Sequence, residues 1–357
     1  MSARLGTSLF LFGLSLLACF AQENRPAAQP KPQASVSGDA NRGITLDVAV
    51  TGKAGRPVSG LQRSDFTLLD NKQPQKILSF RAMDGTKAAG PPVEVVLLVD
   101  EVNTPFIGVA RVRAAIVKFL GQNGGKLARP VSVVMLSDSG TTARTAPSQD
   151  GNALIADLNR AEFGLRTIRK NEQMYAAADQ QRLSIQALGQ LAANEMPKPG
   201  RKLVVWISPG WPLFLGSSMD MATSDLKQVF GSVVALSDAL LRARITLYDV
   251  DPIGAAEGEM RMSDFQQFFK GVRKFDQVQL GDLGLQPLAY RSGGRILNAS
   301  NDIAGQIATC VADGIAFYEI GFDGMPGDGP NEYHELELKV DKPKLTVRAP
   351  SGYYAQP

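Results

Sequence analysis

The feature that most constrains this chain is the run Val93-Glu-Val-Val-Leu-Leu-Val-Asp100. It is apolar and β-branched almost throughout, the composition of a strand buried on both faces inside a parallel sheet. The run stops at Asp100, and polar residues follow through Thr104. A helical stripe then begins: Val109, Val112, Ile116, Phe119 and Leu120 share one face, and Gly121, Gly124 and Gly125 end it. Strand, polar tip and helix are the opening of an open α/β sheet, whose ligands meet the carboxyl ends of the strands. Asp100–Thr104 is therefore the first candidate site.

The same grammar recurs downstream. Val131–Leu136 reads as a second buried strand with tip Ser137–Gly140, and Thr141–Ala146 as an edge strand returning from it. Gln173–Asn194 reads as a long helix stopped by Pro197, Pro199 and Gly200. Leu203–Ile207 is a strand with the tip Ser208-Pro-Gly-Trp211. A helix over Ser224–Arg244 takes Ser224 as its N-cap. Ile245–Tyr248 is a strand ending in Asp249-Val-Asp251-Pro252. Ser292-Gly-Gly-Arg295 turns into a short strand, and Ser300-Asn-Asp302 caps a helix through Cys310. The alternation predicts a doubly wound, mostly parallel α/β sheet over residues 93–322. Ile253–Gly284 is long for a connection in such a fold. Phe265, Phe268, Phe269 and Val272 fall on one helical face within it, which predicts a helix packed on the body.

The flanks carry the other periodicity. Ile44, Leu46, Val48 and Val50 alternate with polar residues as in a half-buried strand. Asp65–Asp70 is a second strand, Asn71-Lys72 a turn, and Ile77–Phe80 a third. The tail alternates likewise at Leu336, Leu338 and Val340, then at Leu345 and Val347. Neither the unit over 41–86 nor the tail over 333–355 can bury its apolar face alone, so the two are expected to pair as one small β-sandwich. Ahead of them, residues 1–21 have the form of an export leader: Arg4, an apolar core over Leu5–Phe20, then small residues. Residues 22–40, rich in Ala, Pro and Gln, read as a disordered linker. Leu16-Leu-Ala-Cys19 also resembles a lipobox, so cleavage after Ala21 and lipidation of Cys19 are both open, the latter being the one route to a membrane. Either way Cys310 has no partner and reads as a buried thiol.

Scarce residues exclude several chemistries. The net charge is +3 with no dense basic stretch, which gives no footprint for a nucleic acid. His334 is the single histidine and reads as a solvated turn residue. No Cys-x-x-Cys, phosphate loop, Gly-x-Gly-x-x-Gly or Gly-x-Ser-x-Gly segment occurs, which removes structural zinc, nucleotide and serine-hydrolase readings.

Three segments together carry a family resemblance: Val95–Asp100-x-x-Asn103-Thr104, then Gly200-Arg-Lys-Leu-Val-Val-Trp-Ile-Ser-Pro-Gly210, then Leu288-Ala-x-x-Ser-Gly-Gly-Arg295. They resemble a von Willebrand factor type A domain. The flanking Gly55–Phe66 and Gly352-Tyr-Tyr354 are similar to segments of the related proteins of acidobacteria and other soil bacteria. The resemblance implies a von Willebrand factor A-like, Rossmann-like fold and a metal-ion-dependent adhesion site at the sheet top. There, Mg²⁺ or Mn²⁺ would be held by Asp100, Asn103, Thr104 and Ser208. The motif is degenerate, because Val102 stands at a hydroxyl position and Ser208 replaces a strand-tip Asp. Thr167 is a guess for the family's Thr on a later loop. The other reading of Asp100 and Thr104 is that they cap the following helix.

Together these point to an exported, non-enzymatic protein that recognises or adheres to a protein partner at a bacterial cell envelope. The binding face would comprise Glu101, Phe106, Asp138, Trp211, Phe214, Asp249 and Asp251, with Trp211 and Phe214 either anchors or buried. Two other readings stand beside it: a phosphoesterase-like, metal-dependent hydrolase using Asp249, Asp251 and Asp100, and an inert structural component.

Overall fold

A computed structural model describes residues 43–84, 92–160, 173–212, 221–254 and 264–357. The leader, the linker, Cys19, Thr167 and Phe214 lie outside the described residues. In chain order the strands are β1 (Gly43–Thr51), β2 (Phe66–Asp70), β3 (Gln73–Gln75), β4 (Ser79–Asp84), β5 (Val93–Asp100), β6 (Lys126–Ser137), β7 (Gly140–Ala143), β8 (Ser148–Asp150), β9 (Arg201–Ile207), β10 (Ile245–Val250), β11 (Ile296–Leu297), β12 (Ala316–Asp323), β13 (Glu332–Val340), β14 (Thr346–Arg348) and β15 (Gly352–Ala355). The helices are α1 (Phe106–Leu120), α2 (Gly151–Arg160), α3 (Gln173–Glu195), α4 (Thr223–Arg242), α5 (Leu285–Arg291) and α6 (Ile303–Ala312).

The largest sheet runs β11-β10-β9-β5-β6-β7, with β8 also on β6. β11, β10, β9, β5 and β6 are mutually parallel, and β7 returns antiparallel at the edge. Numbered within this sheet alone, the order is 3-2-1-4-5-6, that of a doubly wound α/β fold. The fold class is the one expected from the sequence. β5 lies in the middle and is covered on both faces. Val95, Leu97 and Val99 pack toward α1, α2 and α6. Val96 and Leu98 pack with Trp206 toward α3 and α4. At the start of β9, a Cβ on Gly200 would come within 1.9 Å of the Pro92 carbonyl oxygen, and φ there is +85°. Glycine is what lets β9 enter beside β5.

The two remaining sheets, β14-β1-β12-β4 and β15-β13-β2-β3, each combine strands from both chain flanks. Between them lie Leu46, Val48, Val50, Phe66, Leu68, Tyr318, Ile320, Phe322, Leu336 and Tyr353. β12 corrects the expected boundary of the α/β body: it pairs with β1 and β4 instead of the parallel sheet. Its alternation explains this, for Phe317 faces the body while Tyr318, Ile320 and Phe322 fill the sandwich. β1 also differs from the half-buried strand expected. From Leu46 to Thr51 it is buried on both faces, because one face meets the α/β body.

Other expectations shift for local reasons. α4 begins at Thr223 with Ala222 as N-cap, so Ser224 is inside the helix and not its cap. His334 is not a turn residue. It lies buried in β13, with Nδ1 2.8 Å from Asp70 Oδ1, while the Tyr353 hydroxyl donates to Asp70 Oδ2 at 2.6 Å. In the long connection, Phe265, Phe268 and Val272 are buried and Phe269 stacks on Tyr290 at 4.4 Å between centroids.

Ion pairs tie the sandwich to the body. Arg244, at φ +55° between α4 and β10, donates to Asp47 of β1 and to Glu319 of β12. Asp313, just after α6, accepts from Arg348 at 2.7 Å, Arg295 at 3.0 Å and the Tyr248 hydroxyl at 2.9 Å. Burial pushes the Asp313 carboxyl up, but Arg348 and Arg295 outweigh it and hold the pKa below its ordinary value. For Asp47 burial wins over Arg244, and the pKa is raised. Arg244→Met leaves two buried carboxylates facing each other and should cost about 3 kcal/mol in urea unfolding at neutral pH. A group with a raised folded pKa supplies stability at low pH that is lost as pH rises through that pKa. The deficit of Arg244→Met should therefore shrink as pH falls through the carboxylate range. A deficit independent of pH would show that Arg244 acts by packing alone.

Candidate functional site

The switch point of the sheet lies between β5 and β9, where the strand order reverses, and Asp100 and Ser208 end these two strands. Asp100 follows Val96 and Leu98 on the face shared with Trp206. Its carboxylate is fully buried, and N–H donors meet it: the Asn103 backbone on Oδ1 at 2.9 Å, the Asn103 amide on Oδ2 at 2.7 Å and the Trp206 indole on Oδ2 at 2.9 Å. Burial raises the Asp100 pKa, while these bonds and one with Ser208 act against it. Ser208 Oγ accepts from the Gly210 N–H at 3.1 Å. The Asn103 amide also donates to Ser184 of α3 at 2.8 Å, and Gln180 of α3 donates to the Val102 carbonyl at 3.0 Å. The β5–α1 turn is thus pinned from below by β9 and from the side by α3.

Neither Asp100 nor Thr104 caps α1. Its N-cap is Pro105, with no side-chain hydrogen bond. Thr104 Oγ1 and Asn103 Oδ1 are buried without hydrogen-bond partners among the described residues. Divalent ions of the Mg²⁺ type need open carboxylate oxygens in octahedral array, and here both Asp100 oxygens are already held by N–H donors. Among the described residues no group of three or more His, Cys, Asp or Glu is placed to hold a metal ion. Asp100, Asn103, Thr104 and Ser208 come together, but the donor set as built does not fit a divalent cation.

Of the other residues of the expected face, most point inward. Glu101 is buried, with neither carboxylate oxygen hydrogen-bonded among the described residues, and burial raises its pKa while Arg144 acts against this. Asp249 and Asp251 are buried: Asp249 Oδ2 accepts from Gln286 at 2.8 Å, and Asp251 Oδ1 from the Ile253 N–H at 2.8 Å. Trp211 lies under the tip, edge-on to Trp206 at 5.2 Å. Gly210, at φ +100°, makes that turn, and a Cβ there would strike Gln286 at 2.4 Å. Asp138 is half-buried. Phe106 is the exception, 70% exposed, and its neighbour Ile107 is 72% exposed, with Pro105 also open to solvent. What solvent meets beyond β5 is an apolar knuckle.

Trp206, Gln286 and Ile107 were not among the expected site residues. For Trp206 a signal exists in the sequence: Asp100 shares strand parity with Leu98, and a polar-edged aromatic on the adjacent strand could reach it. For Gln286 and Ile107 none does.

No protein-family model matches the chain, and no curated protein matches it. Solved structures do. A conserved hypothetical protein BatB from Bacteroides thetaiotaomicron is 13% identical, with 62% of this chain and 96% of that one covered, at a TM-score of 0.29. The SpRpn10 VWA domain is 10% identical, covering 61% and 94%, at 0.26. The PilB minor pilin from Streptococcus sanguinis is 11% identical, covering 64% and 63%, at 0.34. At this level of similarity they carry no argument about the site, and the fold class rests on the strand order.

Trp206→Phe removes one donor from the Asp100 carboxylate and should lower stability by about 1–3 kcal/mol. The ionised form is the one that loses the bond. The raised Asp100 pKa makes the carboxylate's contribution largest at low pH and smaller as pH rises, so the deficit should widen toward neutral pH. Equal urea midpoints for the two proteins at neutral pH would mean that the indole does not hold Asp100.

Proposed function

We propose that this chain is an exported von Willebrand factor A-like protein that binds a protein partner at the cell envelope through the tip beyond β5, and that it acts by binding and not by catalysis. The observation that carries this is the Pro105-Phe106-Ile107 knuckle. Two large apolar side chains stand more than two-thirds exposed at the switch point of an α/β sheet, where such folds take their ligands. Scattered exposed apolar residues are ordinary, but adjacent ones on a rigid helix start have the composition of an interface anchor. The buried Asp100–Asn103–Trp206 bonds hold the base of the knuckle, so a partner meets a preorganised surface. The leader over residues 1–21 supports export, with release after Ala21 or anchorage through Cys19.

The contact is tested by placing the photo-crosslinking amino acid benzoylphenylalanine at Phe106 and, as control, at the exposed Lys118 near the other end of α1. A discrete adduct on intact cells is expected from position 106 alone, and it should disappear with Ile107→Asp. Equal labelling from both positions would sink the reading. The metal is tested separately by calorimetric titration of Mg²⁺ and Mn²⁺ with Asp100→Ala as reference. The expected result is no saturable heat in either protein. Saturable heat in the wild type that Asp100→Ala abolishes would restore a working metal site.

A further inference from the structure

The long connection before α5 carries a patch that the tip does not use. Phe268-Phe-Lys-Gly-Val-Arg-Lys-Phe275 holds three cations and three aromatic rings, and no acid. Packing sorts these side chains. Phe268 and Val272 are buried, and the Tyr354 hydroxyl donates to the Val272 carbonyl at 3.1 Å. A Cβ on Gly271 would come within 1.9 Å of the Tyr333 ring, so glycine is what lets the segment lie against the sandwich. Held there, it turns Lys270, Arg273 and Lys274 into solvent, with Phe269 and Phe275 half-exposed at either end. The fold then adds to them from elsewhere in the chain. Lys227 of α4 stands with Nζ 5.4 Å from the centre of the Phe275 ring. Arg273 pairs with Glu335 of β13 at 3.2 Å, and the Glu335 backbone exchanges hydrogen bonds with Asn71, which brings the exposed Lys72 beside them. Tyr290 of α5, 49% exposed, stacks on Phe269. Glu335 and Asp276 stand against these cations, and the patch keeps an excess of positive charge.

We infer that this patch docks the protein on an anionic lipid surface, with the cations over the lipid phosphates and the rings at headgroup depth. Charge selects the partner, because a dense array of anions is what Lys72, Lys227, Lys270, Arg273 and Lys274 can meet together. The rings select a bilayer. Long Lys and Arg stems and aromatic side chains sit astride a boundary between water and hydrocarbon, with the apolar part inward and the polar tip in water. A purely acidic polypeptide satisfies the charges and leaves the rings of Phe269, Phe275 and Tyr290 in water. The anchorage of Gly271 and Val272 on the sandwich fixes the backbone of the patch in advance, so docking orders only side chains. A single acyl chain holds a protein to a bilayer marginally, and a basic patch is the kind of second contact that makes the hold firm. Lipidation of Cys19 would add to this surface and is not required by it.

The test is co-flotation of the full chain with vesicles of phosphatidylcholine alone and of phosphatidylcholine with added phosphatidylglycerol. Tighter binding to the anionic vesicles is expected, and salt should weaken it. Lys270→Gln with Lys274→Gln should lower the affinity for anionic vesicles about thirtyfold, each cation contributing about fivefold. Lys118→Gln with Lys126→Gln removes the same charge from exposed positions on α1 and β6 and should change the affinity by less than about twofold. Tyr290→Ser should weaken binding at high salt as well, where the charges are screened. Residues 1–21 are common to all these proteins, so their apolar core contributes equally to each. Equal affinity for the two kinds of vesicle would overturn the inference. So would the same loss from both double variants, which would mean net charge without a patch, or indifference to Tyr290→Ser. Immobilised polyglutamate forms the last arm: retention there without vesicle binding would assign the patch to an acidic polypeptide instead. Urea midpoints establish that each variant is folded.

Discussion

A carboxylate ends the central strand of this protein's largest sheet, and the turns around it are arranged to tolerate it. β5 crosses the core as the apolar run Val95–Val99 and delivers Asp100 to its end with no solvent to meet the charge. An ionised carboxylate there is costly unless several N–H groups point at it. Asn103 and Trp206 provide those groups, and each has a second consequence. Asn103 must fold back over the strand end, which sets the β5–α1 turn and draws in Ser184 of α3. Trp206 must stand on the same face, which places its ring under Trp211 and closes the tip from below. One buried charge thus organises two loops and a helix, and it leaves the apolar start of α1 as the part that solvent sees.

The second constraint is that neither chain flank can make a sandwich alone. β1 and β4 need β12 and β14 to complete one sheet, and β2 and β3 need β13 and β15 to complete the other. The sandwich therefore closes only when the intervening α/β body has brought the two flanks together. Arg244 and Asp313 sit at that seam, each meeting partners from separate segments. Because Asp47 and Asp313 are both buried yet shifted in opposite directions, the seam has no single pH response. Asp313 gains stability above the carboxylate range, and Asp47 loses some there.

Much of this was legible in the residues. The period-two and 3.6-residue patterns gave the doubly wound sheet, and the buried face of α1 is the stripe Val109, Val112, Ile116, Phe119 and Leu120 read from spacing. What was not legible has one physical origin: burial in three dimensions of residues that look solvated in one. His334, Glu101, Asp249 and Asp251 are polar and flank turns or strand ends, so local rules place them outside. Long-range partners put them inside: Asp70 and Tyr353 for His334, and Gln286 for Asp249. β12 leaves the α/β body that its sequence position suggests, because an apolar strand after a helix looks alike whether it joins the parallel sheet or leaves it. Only pairing with β1, more than two hundred and fifty residues earlier in the chain, decides the matter.

If the tip binds as proposed, these burials set what kind of recognition it would perform. Had the acids stood in solvent, the tip would present a concentrated negative field, and association would be steered by charge and weakened by salt. With Asp100, Glu101, Asp249 and Asp251 buried, the exposed apolar residues beside them, among the described residues, are Phe106, Ile107 and Pro105. Contact there would draw on removal of apolar surface from water, which salt does not screen and which reads shape. Val102 is fully buried with Trp206 and Trp211 in the cluster beneath the tip. It therefore packs the base on which Phe106 and Ile107 stand.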